Sequence, residues 1–158
     1  ILQSILAKGW YFYFFIMVLV LIDQLIKLNI DKKFFPGESL PVIENIFHLT
    51  YVRNRGAGFG ILAGKKYLLL LITALILVFL LIYRYKSRAG LLKDFALIFL
   101  IAGALGNFID RVRLSYVIDY LDFRIWPVFN LADILINIGA GLLIISIWKS
   151  EGDTYEGG

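Results

Sequence analysis

Four long apolar stretches dominate this chain of 158 residues and limit the classes of protein that it can form. They cover about residues 10–28, 67–83, 94–110 and 131–148, and none is a low-complexity tract. The second stretch carries no charged residue, and as a helix it would span roughly 26 Å, close to the thickness of the hydrocarbon core of a bilayer. With 60% hydrophobic and only 18% charged residues, the chain lacks the polar surface of a soluble domain. We therefore predict a membrane protein with four transmembrane helices.

The connections between these stretches predict a small β element. Residues 47–52 alternate between apolar and polar side chains, which is the period of a half-buried strand, and a glycine-rich turn follows over residues 54–60. We expect one integral membrane domain over residues 1–158, all-α with a small β element. A small β-sheet would lie between helices 1 and 2, at one face of the membrane.

Charge patterning suggests the orientation. Four basic residues and no acidic residue occupy the connection 84–93, which by the positive-inside tendency is cytoplasmic. This places both termini in the cytoplasm and the connections 29–66 and 111–130 outside, although six basic residues in 29–66 argue the other way. The first apolar stretch has no small-residue cleavage site after it, so we expect a retained helix and not a signal peptide.

Composition narrows the chemistry. Cysteine is absent and His48 is the single histidine, in a strand pattern that favours an ordinary half-exposed residue. Metallopeptidase, nucleophile-elbow, phosphate-loop and dinucleotide motifs are absent from the sequence, and the net charge of +4 favours lipid headgroups over nucleic acid. Carboxylates become the main candidates for acid–base catalysis.

Two aspartates differ from the others in their neighbours along the chain. Asp23 has Lys27 four residues later, the spacing of a helical ion pair, and Asp110 and Asp122 each have an arginine within two positions. Asp119 and Asp133 have no cation so close. Carboxyl groups in apolar surroundings have a raised pKa, and two of them side by side share one proton, as an aspartic peptidase requires.

Several polar or small residues also fit structural roles. Asn130 and Asp133 match the N-cap and third position of helix 4, where the helix dipole would favour a charged carboxylate. Asn137 would serve as a partner of Asp133 or as a contact between helices. Gly103 and Gly106 would let helices approach closely.

Five motifs in order resemble those of lipoprotein signal peptidase, also called signal peptidase II. They are Asp23-Gln24-x-x-Lys27, Asn54-x-Gly56-Ala57-x-Phe59-Gly60, Gly103-Ala104-Leu105-Gly106-Asn107-x-x-Asp110-Arg111, Val117-Ile118-Asp119-Tyr120 and Phe129-Asn130-Leu131-Ala132-Asp133. The resemblance implies a bacterial inner-membrane aspartic peptidase with four transmembrane helices and cytoplasmic termini. It also implies that a small extracytoplasmic β-sheet and a short helix lie between helices 1 and 2. Such a peptidase would remove the signal peptide of diacylglyceryl-modified prolipoproteins on the amino side of the lipidated cysteine. The resemblance implies no cofactor and no metal, and we expect a monomer.

The resemblance also assigns residues. Asp119 and Asp133 match the catalytic pair. The positions that match residues binding the substrate or shaping the site are Asp23, Lys27, Asn54, Gly56, Asn107, Arg111, Asn130 and Ala132. The chain departs from the usual pattern at Gly58, where alanine is usual, and at Ile134, where serine is usual.

Three other classes compete with a peptidase. A small transporter or channel would also hold aspartates at membrane depth, but it should show repeats or broken helices. A metal-dependent lipid phosphotransferase would use Asp119 and Asp122 as Mg²⁺ ligands and would be inhibited by EDTA. A structural assembly protein would tolerate Asp→Asn changes at both candidate positions.

Overall fold

A computed structural model describes residues 9–57, 60–87 and 90–155 as four long helices and a small sheet. The helices are α1 (Trp10–Lys33), α2 (Lys66–Lys86), α3 (Leu91–Leu114) and α4 (Leu131–Tyr155), and each contains a stretch long and apolar enough to cross a membrane. The strands β1 (Ser39–Ile43), β2 (Phe47–Asn54) and β3 (Val117–Asp122) form one antiparallel sheet in that order. The predicted fold class, an all-α membrane protein with a small β element, is confirmed.

Helix α3 is the centre of the bundle and packs against the other three helices. More than half of its span is buried, against less than a quarter of each of the other spans. The outer helices therefore expose many of their leucine, isoleucine and phenylalanine side chains, as suits a surface in contact with lipid. The largest buried apolar cluster comprises Phe12, Ile16, Leu80, Leu97, Ile98, Ile101, Ala102 and Leu135.

Small residues bring α3 and α4 into close contact. A Cβ atom on Gly103 would lie 2.4 Å from the backbone oxygen of Ala132 and 2.8 Å from Cγ1 of Ile136. A Cβ atom on Gly106 would lie 2.5 Å from Oδ2 of Asp23, so the second glycine makes room for α1. All three distances are shorter than nonbonded contacts allow, which confirms that these glycines serve close helix packing.

The sheet lies at one end of the bundle, where α1 and α3 end and α2 and α4 begin; we call this the sheet end. Tyr51 in β2 is almost fully buried against Ile30, Ile118 and Tyr120, and its hydroxyl donates to Asp31 near the end of α1. These contacts hold the sheet rigidly against the helices.

One strand of the sheet lies outside the connection expected to form it. The sequence pattern predicts a sheet between helices 1 and 2, but β3 comes from the connection between α3 and α4 and pairs with β2. Because β2 and β3 are far apart in the chain, no local sequence pattern predicts that they pair. The expected strand over residues 47–52 forms as part of β2, and residues 60–64 form hydrogen-bonded turns. Residues 58 and 59 of the expected glycine-rich turn lie outside the described residues.

At the opposite end of the bundle, a buried ion pair joins three helices. Nε of Arg84 lies 2.8 Å from Oδ1 of Asp94, which is almost fully buried in the first turn of α3. The Tyr11 hydroxyl of α1 donates to the same carboxylate, and the Arg84 guanidinium lies over the ring of Phe12. These contacts hold together the ends of α1, α2 and α3 that lie farthest from the sheet.

Candidate active site

Asp119 and Asp133 line the same cavity at the sheet end, although they belong to different elements. Asp119 is in the middle of β3 and Asp133 is in the first turn of α4. The cavity has a volume of about 1140 Å³ and is lined by both polar and apolar side chains. It is large enough for a ligand of several residues.

Two asparagine side chains donate to Asp119. Nδ2 of Asn54 lies 2.9 Å from Oδ2, and Nδ2 of Asn130 lies 2.7 Å from Oδ1. Asn54 ends β2 beside β3, and Asn130 directly precedes α4. Asp119 is 2% exposed, and these two neutral amides bind its buried carboxyl group.

Asp133 is part of the cap of α4 and at the same time faces the cavity. Its Oδ2 accepts from the Asn130 backbone N–H at 3.2 Å, and Oδ1 of Asn130 accepts from the Asp133 backbone N–H at 3.0 Å. This is the predicted pairing of an N-cap with the third helical position. The other oxygen, Oδ1, accepts from Nδ2 of Asn107 at 2.9 Å. The capping role therefore leaves one carboxylate oxygen of Asp133 for the cavity.

The three asparagines have little freedom to rotate their amides. Oδ1 of Asn54 accepts from the Gly56 backbone N–H at 2.9 Å, and Oδ1 of Asn107 accepts from the Lys27 ammonium at 3.0 Å. Oδ1 of Asn130 accepts from the Asp133 backbone N–H at 3.0 Å. All three of these groups can only donate. A reversed amide would place two donors against each other. The amide nitrogens must therefore point towards the two carboxyl groups.

A buried charge cluster lies behind these amides. Nζ of Lys27 is 2.9 Å from Oδ2 of Asp23 and 3.0 Å from Oδ2 of Asp110, and all three side chains are no more than 1% exposed. The predicted pair of Asp23 and Lys27 is thus confirmed as an ion pair, but Asp110 completes it. Removing one partner from such a buried pair usually costs several kcal/mol.

Asp110 and Gln24 were not among the predicted site residues, yet both belong to this cluster. Nε2 of Gln24 donates to Oδ1 of Asp110 at 3.0 Å, and the Ile118 backbone N–H donates to Oδ2 at 3.1 Å. Asp110 therefore fixes the start of β3, the strand that carries Asp119. The spacing of three residues between Asn107 and Asp110 was the signal that could have placed both on one face of α3.

Asp23 also holds the start of α4 in place. Its Oδ1 accepts from the backbone N–H of Ala132 at 3.2 Å, and Ala132 is fully buried. The Tyr120 hydroxyl accepts in the same way from the Leu131 backbone N–H at 3.2 Å. The first turn of α4 is thus positioned from α1 and from β3.

Arg111 connects α3 to the glycine-rich turn. Its Nη2 donates to the backbone oxygen of Gly56 at 3.0 Å, and a Cβ atom on Gly56 would lie 2.6 Å from the backbone of Gly60. Only glycine fits at this position. Nε of Arg111 is buried with no hydrogen-bond partner in the part of the chain that the structure describes. Its positive charge faces the cavity that holds both aspartates.

The environment raises the pKa of Asp119 to about 7. Burial of the carboxyl group is the largest cause, and the negative charge of Asp133 is the next. The hydrogen bonds from Asn54 and Asn130 and the charge of Lys27 favour the ionised form and limit the rise. A carboxyl group with this pKa holds a proton in a large fraction of molecules at neutral pH.

Other candidates from the sequence lie apart from this arrangement. Asp122 accepts from Thr50 at 2.7 Å and pairs with Arg124 at 3.0 Å, and these contacts keep its pKa below the usual range despite burial. His48 is a half-buried residue of β2 whose Nδ1 lies 3.1 Å from Oγ of Ser39, in agreement with the ordinary role expected. Across residues 9–57, 60–87 and 90–155, no group of three or more histidine, aspartate or glutamate side chains is arranged to hold a metal ion.

Comparison with known proteins identifies similar chains. The family model described as Signal peptidase (SPase) II matches residues 15–149. The chain is 52% identical to the lipoprotein signal peptidase of Halothermothrix orenii over 88% of this chain and 96% of that protein. It is 48% identical to the lipoprotein signal peptidase of Moorella thermoacetica over 84% of this chain and 87% of that protein.

Solved structures of similar chains agree with the fold. A structure described as a bacterial membrane enzyme, determined by the in meso method at 2.3 Å resolution, superposes with a TM-score of 0.85 at 36% identity and covers 90% of both chains. A second bacterial membrane enzyme structure, at 1.9 Å resolution, has a TM-score of 0.80 at 37% identity and covers 87% of this chain and 92% of the other.

Proposed function

The chain belongs to the signal peptidase II family, and on that premise we propose that it is an aspartic endopeptidase of the bacterial inner membrane. Its substrate would be a diacylglyceryl-modified prolipoprotein, cleaved on the amino side of the lipidated cysteine. The observation that carries the proposal is the convergence of Asp119 and Asp133 on one cavity, with their carboxyl oxygens bound by oriented asparagine amides.

The two carboxyl groups differ in what surrounds them, and this assigns their roles. Asp133 lies in the first turn of α4, where the helix dipole and the Asn130 backbone N–H stabilise a negative charge. Burial and the nearby negative charge raise the pKa of Asp119 to about 7. We assign the shared proton to Asp119 and the negative charge to Asp133 before reaction.

The reaction then follows from these two states. The Asp133 carboxylate takes a proton from water as the water oxygen attacks the scissile carbonyl carbon, and protonated Asp119 donates a hydrogen bond to the carbonyl oxygen. When the tetrahedral intermediate collapses, the proton of Asp119 passes to the leaving nitrogen and the C–N bond breaks. The products are a carboxylic acid and an amine, and transfer of the proton from Asp133 to Asp119 restores the starting state.

The fold supports reaction at the outer face of the membrane. The basic connection 84–93 lies at the end of the bundle opposite the cavity, and the positive-inside tendency assigns it to the cytoplasm together with both termini. The sheet end would then be extracytoplasmic, and the cavity would open where a membrane-held precursor meets water. All the residues in the proposed mechanism come from one chain, so a monomer suffices, and no cofactor is needed.

The test uses purified enzyme with a diacylglyceryl-modified precursor and its unlipidated counterpart, read by the shift in electrophoretic mobility. We expect cleavage of the lipidated precursor only. Asp119→Asn and Asp133→Asn should each abolish cleavage while the protein remains folded by circular dichroism. Substantial turnover by either variant would exclude the aspartic mechanism.

A further inference from the structure

Asn137 is one of the polar residues of the cavity wall that the proposed mechanism does not use. It lies on α4 one helical turn beyond Asp133, and its side chain is exposed and lines the cavity. Its Nδ2 donates to the backbone oxygen of Asp133 at 2.8 Å. Among the described residues, none donates a hydrogen bond to its Oδ1.

A structural role does not account for this side chain. The contact between helices that the sequence allowed is not made, because the carboxamide bonds to its own helix. In an α-helix the backbone N–H of residue 137 already donates to the Asp133 carbonyl, so the helix does not need the additional bond from the Asn137 side chain. Ile134, Ile136 and Ile138 line the same wall. Since the Asn137 side chain is exposed on this wall, its Oδ1 is open to a donor that enters the cavity.

The remaining acceptor selects the kind of group that it can bind. The bond from Nδ2 to the Asp133 carbonyl leaves Oδ1 as the free oxygen, and an oxygen acceptor requires an N–H or O–H donor. The ester and thioether groups of a diacylglyceryl cysteine have neither. The peptide backbone of the precursor offers an N–H at every residue except proline.

The position of Asn137 identifies the part of the precursor that it would meet. Asn137 follows Asp133 by four positions in the helix, which is a rise of about 6 Å along the helix axis. Two residues of an extended peptide span about the same distance. Since α4 begins at the sheet end, Asn137 is deeper in the membrane than Asp133. The signal peptide occupies the membrane, whereas the mature chain is outside it.

We propose that Oδ1 of Asn137 accepts a hydrogen bond from a backbone N–H of the signal peptide about two residues before the scissile bond. The inference rests on the proposed function and adds a residue that binds the backbone of the substrate. Asn137 would hold this segment extended, so that the scissile carbonyl lies between Asp119 and Asp133.

The experiment compares substrates that have or lack this N–H. Lipidated precursor peptides are made with an ester in place of the amide at the second or third residue before the scissile bond. With the parent enzyme, one of these esters should raise KM about fivefold, because one hydrogen bond is lost, and kcat should change little. Asn137→Leu should raise KM for the amide peptide by the same factor and should not distinguish amide from ester.

A matched control is available on α1. Nδ2 of Asn29 donates to the backbone oxygen of Leu25 at 2.8 Å, so this exposed residue makes the same bond to its own helix but does not line the cavity. Asn29→Leu should leave KM unchanged and should still distinguish amide from ester. This control separates loss of the substrate bond from loss of a bond within a helix.

Three results would overturn the inference. The first is an unchanged KM in Asn137→Leu, and the second is a parent enzyme with the same KM for the amide and for both esters. The third is a KM in Asn137→Leu that rises by the same factor for the amide and for the ester, each compared with the parent enzyme acting on the same peptide. Failure of the parent enzyme to cleave any lipidated precursor would instead overturn the proposed function, and this inference with it.

Discussion

The raised pKa of Asp119 predicts the alkaline limit of activity. An ordinary aspartate has a pKa of about 3.9 and would be almost wholly ionised at pH 7. Burial and the charge of Asp133 raise the pKa of Asp119 to about 7, a shift of roughly 3 units that corresponds to about 4 kcal/mol of preference for the protonated form. If the reaction needs this proton, kcat/KM should fall about tenfold per pH unit above pH 7.

Asn54→Leu tests the cause of this limit. The amide of Asn54 donates to Oδ2 of Asp119 at 2.9 Å and favours the ionised form, so its removal should raise the pKa of Asp119 further. A hydrogen bond to a charged group contributes about 1.5 kcal/mol, which corresponds to about one pH unit. The alkaline limb of the pH–rate profile should therefore move from about pH 7 to about pH 8.

The assay is the initial rate of cleavage of a lipidated peptide between pH 5 and pH 9.5 in one detergent, for the parent, Asn54→Leu and the control Asn29→Leu. The position of the limb is the readout, because Asn54 also binds the Gly56 backbone N–H and the variant will lose rate at every pH. A parent limb below pH 5, or a limb that moves to lower pH in Asn54→Leu, would refute the reasoning.

The same shift has a consequence for stability. The folded-state pKa of Asp119 is above its unfolded value, so between about pH 4 and pH 7 the folded state keeps a proton that the unfolded state releases. The contribution of this group is therefore fully present below pH 4 and falls by about 4 kcal/mol as the pH rises through 7.

Three further predictions concern packing, buried charge and metal dependence. Gly103→Ala should destabilise the protein by about 1–3 kcal/mol, since its Cβ would lie 2.4 Å from a backbone oxygen of α4; Gly141→Ala, with nothing within 4 Å, should be neutral or slightly stabilising in the same thermal unfolding assay. Lys27→Met should lower the free energy of unfolding by about 3–5 kcal/mol, because two buried aspartates lose their cation, and a melting temperature equal to the parent's would contradict this. Cleavage of the lipidated precursor should be unchanged by EDTA, and inhibition that Mg²⁺ or Zn²⁺ reverses would favour a metal-dependent reaction.

Local sequence determined the class of fold and part of the site. The apolar stretches are long enough to require a bilayer, and each became the greater part of a helix. The cap formed by Asn130 and Asp133 depends on residues three positions apart, so the sequence placed both correctly. The absence of a nearby cation singled out Asp119 and Asp133, and the raised pKa of Asp119 agrees with that reasoning.

Tertiary structure alone decided how these residues are oriented. Asp23 binds the backbone of Ala132, and Lys27 orients Asn107 and pairs with Asp110, through contacts between residues about 80 to 110 positions apart in the chain. The placement of β3 beside β2 depends in the same way on packing. Helix and strand periods specify which face of an element is apolar, but the partner of a buried polar group depends on how whole elements pack together.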